Sequence, residues 1–340
     1  MTTPNDDSKP TARRTARTVI VPAAGMGTRF LPATKTVPKE LLPVVDTPGI
    51  EMIAEEAAAS GADRLLVVTA PSKDGVLGHF DARPDLEETL HERGKDDIAA
   101  KVRRATEVIG VSSVVQDKPL GLGHAVLMAE PELADDEDAV AVMLPDDLVL
   151  PVGVMERMAA VREEFGGSVL CALELPREEV YNYGVFDIEE PTEGADGTAA
   201  ADVKRVRGMV EKPSPEDAPS TLVAVGRYLL DRAIFDALRR IDRGKGGEYQ
   251  LTDAIELLIR EDHPVHIVIH DGFRHDLGNP GGFIRACVDF GLRDPNYGPG
   301  LRRYLERRIT EGDEPLTMDG TCDGTGNTAA GARGEGTGEG

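Results

Sequence analysis

The chain has 340 residues, with 61 Asp and Glu against 38 Lys and Arg and a formal net charge of -23. That balance argues against non-specific nucleic-acid binding, which draws on a basic surface, and it requires any anionic ligand to be met by locally gathered cations. The length supports one large α/β domain or two ordinary ones with a substantial core, and no stretch reaches the eighteen apolar residues of a spanning helix.

The first 17 residues are polar and lack the apolar h-region of a signal peptide, so a disordered N-terminal segment (1–17) and a cytoplasmic location without membrane contact are expected. From 18 to 24, "TVIVPAA" reads as a buried strand broken by the glycines of "GMGTRF". A helix over about 49–60 then leads to the strand "LLVVTA", which makes a βαβ opening and predicts a parallel sheet. The region 84–109 reads as helical, "SSVVQ" as a short strand, "GHAVLMAEPEL" as a helix start and "AVAVMLPDD" as a buried strand ending in carboxylates. In open α/β sheets ligands bind beyond the carboxyl ends of the strands, so the glycine loop and Asp146 are expected to face one crevice.

From Ser168 the chain turns strand-rich through "SVLCALEL", "YGVFDI", "VKRVRGMVEK" and "TLVAVGRYLL", which predicts an antiparallel portion. Helices near 231–241, 251–260, 281–292 and 300–309 close the fold, with a strand "VHIVIH" after the second. The stretch 189–202 reads as a flexible loop, and the last thirty residues, with nine glycines and seven acids, as a disordered tail (311–340) after a catalytic domain over 18–310. Cys171, Cys287 and Cys322 form no CxxC pair, and Cys171 in an apolar strand reads as a buried reduced thiol.

The segment "AAGMGTRFLPATKTVPKE" carries the strongest chemical signal, because its glycines let backbone approach a nucleotide while Arg29, Lys35 and Lys39 supply charge. It lacks the Gly-Lys-Ser/Thr ending of a P-loop, and its single G-x-G is not a dinucleotide fingerprint; on spacing alone a tight strand-to-helix turn with exposed lysines is the commoner reading. Gln116, at a strand end, carries an amide that offers a donor and an acceptor together, though it could equally be solvated. Asp146 and Asp147 read as a helix cap, a surface turn or hard-cation ligands. In "GMVEKP", Glu211 suits sugar hydroxyls and Lys212 a phosphate, or the pair is only an exposed strand end; strand alternation would send them to opposite faces, so joint use needs the strand to end or bulge there.

"AAGMGTRFLPATKTVPKELLPVVDTP" closely resembles the signature of the sugar nucleotidyltransferases, in the form of the bacterial glucose-1-phosphate uridylyltransferases. "VVQDKPLGLGHAV", "YNYGVFDI", "GMVEKP", "VAVGRYLL", "GGEYQLTDAI" and "FRHDLGNPGGF" extend the resemblance over about 19–293, with Asp117 where many relatives have glycine. It implies a Rossmann-like nucleotidyltransferase fold with a mixed, mainly parallel central sheet and an antiparallel sugar-binding portion. It also implies transfer from UTP to glucose 1-phosphate with Mg2+, in a homodimer or homotetramer.

By that resemblance Ala23, Ala24, Gly25, Gly27, Thr28, Gln116, Gly121 and Asp146 bind the nucleotide, and Arg29, Lys39 and Lys212 are catalytic. Asp147, Gly184, Glu211, Lys212, Gly226 and Arg227 hold the sugar phosphate, and Asp146 and Asp276 the metal. Glu248 completes the pocket or only orients its helix; Gln250, Asp253 and His275 are expected to be structural, and His124 only a helix N-terminal residue. The same reaction with dTTP, and a non-catalytic sugar-nucleotide sensor on this fold, are the competing readings.

Overall fold

The computed structural model describes residues 16–71, 73–189 and 201–311. The expected N-terminal segment, the 189–202 loop, the tail and Cys322 therefore lie outside the described residues, apart from a few flanking positions. One of these, Arg17, is ion-paired with Asp136. Contacts divide the chain into two compact units, 1–290 and 291–340.

In the first unit β1 (Thr18–Pro22) enters the glycine loop, and a small hairpin of β2 (Pro43–Val44) and β3 (Thr47–Pro48) precedes α1 (Gly49–Ala59) and β4 (Arg64–Thr69). A short α2 (Asp74–Gly78) leads to α3 (Pro84–Glu92), α4 (Asp96–Glu107), β5 (Gly110–Val115) and α5 (Leu122–Met128). The single helical region expected over 84–109 is thus two helices. Gly94 breaks it at a φ of 67°, a left-handed conformation that ends α3 and lets the chain reverse.

Then follow β6 (Ala139–Met143), β7 (Asp147–Leu150), α6 (Val154–Phe165), β8 (Ser168–Glu174) and β9 (Gly184–Ile188). The chain continues through β10 (Val203–Glu211), β11 (Leu222–Asp231), α7 (Ile234–Arg240), α8 (Leu251–Arg260), β12 (Val265–Ile269), β13 (Phe273–Asp276) and α9 (Pro280–Arg293).

Nine strands form one mixed sheet in the order β5-β4-β1-β6-β11-β8-β12-β10-β9. The half from β5 to β6 is parallel, β11 runs antiparallel to β6 and β8, and β10 is antiparallel to β12 and β9. The central strands are continuous apolar runs because both faces are covered. Val19, Val21, Leu65 and Val67 pack with Ile50, Ile53 and Ala57 of α1 and Met155 and Met158 of α6. Alternate residues Ile20, Leu66 and Val68 pack on the other side with Val126 of α5, Phe235 of α7 and Ile255 of α8. Cys171 of β8 is fully buried, and desolvation pushes its thiol up to about 12, so it is an inert part of this core.

The period-2 pattern of the sequence does not reveal a second, two-stranded sheet. In it β13 runs antiparallel to β7 with Asp276 opposite Asp147. In the second unit, Asp294 Oδ1 accepts the backbone N–H groups of Asn296 and Tyr297 at 2.8 and 2.9 Å ahead of α10 (Gly298–Glu311). Among the described residues no helix is long and apolar enough to cross a membrane.

Candidate active site

The four parallel strands release their loops at one edge of the sheet. β1 delivers the glycine loop, β4 the turn to Lys73, β5 Gln116, and β6 the Asp146–Asp147 pair. Below this edge lies a cleft of about 300 Å3. Of the residues assigned from sequence, Asp146, Asp147, Gly184, Glu211, Lys212, Gly226 and Asp276 line it.

Asp146 leaves β6 just before β7 begins, and the β7–β13 pairing carries Asp276 beside it. The backbone N–H of Leu277 donates to the Asp146 carbonyl at 2.7 Å. A Cβ placed on Gly278 would stand only 2.7 Å from Asp146 Oδ2 and 2.9 Å from Asp276 Oδ1, so both carboxylates converge on one small space. Asp276 is held in place by the Gly278 N–H and the Asn279 amide, each donating at 2.7 Å. The Lys39 ammonium donates to Asp146 Oδ2 in a close ion pair. Burial works against both charges, but Asp146 and then Glu40 raise Lys39 above the usual lysine value, and Lys39 holds Asp146 below the usual carboxylate range. Arg29, on the exposed turn after Gly27, reaches the Gly278 carbonyl at 3.4 Å and so flanks the same carboxylates.

Ala23 and Ala24 are buried where β1 ends, Gly25 and Thr28 are exposed, and Gly27, half-buried at a φ of 63°, accepts a hydrogen bond from Thr34. Beneath the loop lies a residue that the sequence did not single out. Lys73 is buried and donates to the Ala23 carbonyl at 2.7 Å and to both Glu40 oxygens at 3.1 and 2.9 Å. It ties the glycine loop to the turn that carries Lys39.

At another wall of the cleft, β10 ends at Glu211 and Lys212 adopts a left-handed φ of 47°, its backbone N–H donating to the Tyr183 carbonyl at 2.9 Å. That break in the extended backbone brings both side chains to the cleft, at the strand end or bulge the sequence led one to expect. Glu211 accepts from Thr252 at 2.6 Å and from Lys212 at 2.7 Å. Glu248 and Gln250 also line the cleft, with the Gln250 amide donating to Glu248 at 3.3 Å; Gln250 is thus part of the wall rather than only a cap to α8.

Arg227 requires a correction. It is fully buried and does not reach the cleft: its guanidinium forks onto Glu56 at 2.8 and 2.6 Å and donates to the Gly226 carbonyl at 3.0 Å. On β11 its side chain leaves the face opposite to Gly226. Gly226 itself is needed for close approach, since a Cβ there would lie 2.6 Å from the Asp147 Cβ, and its N–H donates to Asp147 Oδ2 at 2.9 Å. Desolvation raises Asp147 despite the facing Arg274.

The guanidinium in the cleft is Arg274, also not assigned from sequence. It lies 2.9 Å from Asp147 Oδ1, 3.4 Å from Asp276 Oδ2, and 4.8 Å over the Tyr183 ring. Alternation on β13 sends Arg274 and Asp276 the same way, which is the signal that could have found it. His275, on the other side of β13, is buried 3.2 Å from Asp289, as its structural reading expects.

Gln116 is buried and does not line this cleft; its backbone N–H donates to the Thr69 carbonyl at 2.8 Å. Gly121, at a φ of 105°, backs onto Glu248 and Tyr249; a Cβ would meet them at 2.7 and 2.8 Å. Among the described residues no group of three or more His, Cys, Asp or Glu is arranged to hold a metal. The pair of hard carboxylate oxygens at Asp146 and Asp276 suits an oxygen-seeking cation that takes its other ligands from phosphate and water.

The nucleotidyl transferase family model matches residues 18–290, which include every residue of the cleft. The chain belongs to the nucleotidyl transferase family. It is 39% identical over 295 residues to the UTP–glucose-1-phosphate uridylyltransferase YngB of Bacillus subtilis, covering 86% of this chain and 96% of that protein. A UTP–glucose-1-phosphate uridylyltransferase of Staphylococcus haemolyticus is 39% identical over 288 residues, covering 84% of this chain and 96% of its own. Among solved structures, the UTP-bound UGPase from Acinetobacter baumannii superposes with a TM-score of 0.76 at 34% identity, covering 86% of this nucleotidyl transferase and 99% of that chain. A UDP-glucose pyrophosphorylase complexed with UDP-glucose gives a TM-score of 0.72 at 34% identity, covering 82% and 100%. This nucleotidyl transferase has the α/β mixed-sheet fold of those structures.

Proposed function

We propose that this nucleotidyl transferase transfers the uridylyl group of UTP to glucose 1-phosphate, releasing pyrophosphate and forming UDP-glucose. The observation that carries the reading is the meeting, at one sheet edge, of the Lys39–Asp146–Asp276 cluster with the Glu211–Lys212–Thr252 wall. Relatives 39% identical over most of the chain are uridylyltransferases by name, which supports UTP and glucose 1-phosphate as the pair.

Glu211 accepts hexose hydroxyls, Lys212 meets the sugar phosphate, and Gly184 and Gly226 keep the wall low enough for the ring. Arg274 holds Asp147 and Tyr183 in register beneath it. Lys39 and Arg29 neutralise phosphate oxygens as charge builds at the α-phosphorus. Asp146 and Asp276 would hold Mg2+, which when bound would neutralise triphosphate charge that the acidic protein otherwise repels. The attacking group is already a phosphate anion, so positioning and charge stabilisation suffice without a general base. Residues 18–310 act as the catalytic domain, in a homodimer or homotetramer, in the cytoplasm.

Incubated with UTP, glucose 1-phosphate and Mg2+, the protein should yield UDP-glucose and pyrophosphate in equal amounts. A chelator should abolish turnover and added Mg2+ restore it. Full activity in excess chelator would remove the metal from the account, and no UDP-glucose under any condition would remove the reaction.

A further inference from the structure

The three carboxylates of the cleft are met by different partners. Asp276 is fixed by the Gly278 N–H on Oδ1 and the Asn279 amide on Oδ2, and the Arg274 guanidinium lies between its Oδ2, at 3.4 Å, and Asp147 Oδ1, at 2.9 Å. Asp146, between these two acids, is paired instead with Lys39, whose ammonium donates to Oδ2. That oxygen is the one turned toward Asp276. A Cβ on Gly278 would stand 2.7 Å from it and 2.9 Å from Asp276 Oδ1, with Asp146 Cγ farther off at 3.4 Å. Lys39 is therefore seated on the Asp146 oxygen that shares a space with Asp276. An ammonium and a divalent cation on one carboxylate oxygen would repel each other strongly in this half-buried place.

We propose that Lys39 is the resident counter-ion of the cation site, seated on Asp146 in the empty cleft and released from it when a divalent cation binds. The inference rests on Asp146 and Asp276 as the metal carboxylates of the proposed function. In the empty protein the ammonium offsets the repulsion of Asp146 by Asp147 and Asp276. A divalent cation that arrives alone displaces Lys39 and leaves a half-buried ammonium without its acceptor, which weakens binding. When a triphosphate arrives as well, the displaced ammonium finds a phosphate oxygen. Metal and nucleotide therefore bind cooperatively, with Lys39 as the group that couples them.

The test is binding of Mn2+ without turnover, read as loss of the free-ion signal in electron paramagnetic resonance. The titration returns site number and affinity separately, so unfolded protein lowers the first and not the second. Lys39→Met removes the ammonium and keeps an apolar side chain of similar length. Without nucleotide it should bind Mn2+ about tenfold more tightly than the wild type, the effect of removing one competing cation. With UTP present that advantage should disappear, because phosphate then takes the ammonium in the wild type. Arg29→Met controls for net charge, since Arg29 donates to the Gly278 carbonyl and not to Asp146; it should tighten Mn2+ by about twofold at most. Asp146→Asn and Asp276→Asn should each weaken the site. Mn2+ binding in Lys39→Met no tighter than wild type, equal tightening in Arg29→Met, or an advantage that UTP leaves intact overturns the counter-ion role while the site stands. Wild-type Mn2+ binding in both Asn variants removes the site and the inference with it.

Discussion

Lys39→Ala should lower turnover by about 100-fold or more while the protein stays folded, the cost of losing a transition-state charge stabiliser. The reacting groups are two phosphate-bearing anions brought together by a protein of net charge -23, so the local cations carry the burden. Lys39 is the cation in direct contact with Asp146, and Arg29 approaches the same space through the Gly278 carbonyl. Asp146 remains partly open to solvent, at 27% side-chain exposure, so losing its partner leaves it hydrated rather than stranded. The loss should therefore appear in kcat more than in thermal stability. Turnover by a folded Lys39→Ala variant equal to that of the wild type would remove the assigned role.

Lys73→Met should act through the fold instead. Lys73 and Glu40 form a buried pair with side-chain exposures of 10% and 0%, and removing one member leaves the Glu40 carboxylate without its counter-charge. Breaking such a pair costs about 3–5 kcal/mol, which in a domain of this size lowers Tm by on the order of 10 °C. The Ala23 carbonyl loses its donor as well, so the glycine loop should loosen and the KM for nucleotide rise. Adding Glu40→Leu to Lys73→Met should recover much of the Tm, because an apolar pair replaces the orphaned charge, but not the KM. A single variant with wild-type Tm would show that the pair is not buried in solution.

How far the sequence could be read follows the range of the interactions. The continuous apolar strands and the glycine loop are local patterns, and the β1–α1–β4 opening and the common edge of the parallel strands follow from them. Glu211 and Lys212 were legible because a proline after them marked the strand end that lets neighbours share a site. The same alternation applied to β11 would have turned Arg227 away from Gly226 and toward the core, where Glu56 of α1 meets it. Only the resemblance placed Arg227 at the sugar phosphate, and the structure puts its side chain in the core instead.

Lys73 and Arg274 were missed for a different reason. Lys73 sits in a loop with no periodicity, and its partner Glu40 is 33 residues away. β13 is four residues long and polar, so nothing marks it as a strand until it pairs with β7 and sets Asp276 opposite Asp147. The Gln116–His124 contact spans eight residues between a strand end and a helix start, a distance only the turn at Gly121 closes. Sequence therefore indicated which chemical groups meet at the cleft, and tertiary pairing decided which side chains hold them there.

The most direct test of the whole account is pyrophosphate release measured side by side with UTP, dTTP, CTP, GTP and ATP, each with glucose 1-phosphate and Mg2+. The account predicts kcat/KM for UTP at least about tenfold above every other triphosphate. Equal or faster release with another triphosphate, or none with UTP, would contradict it.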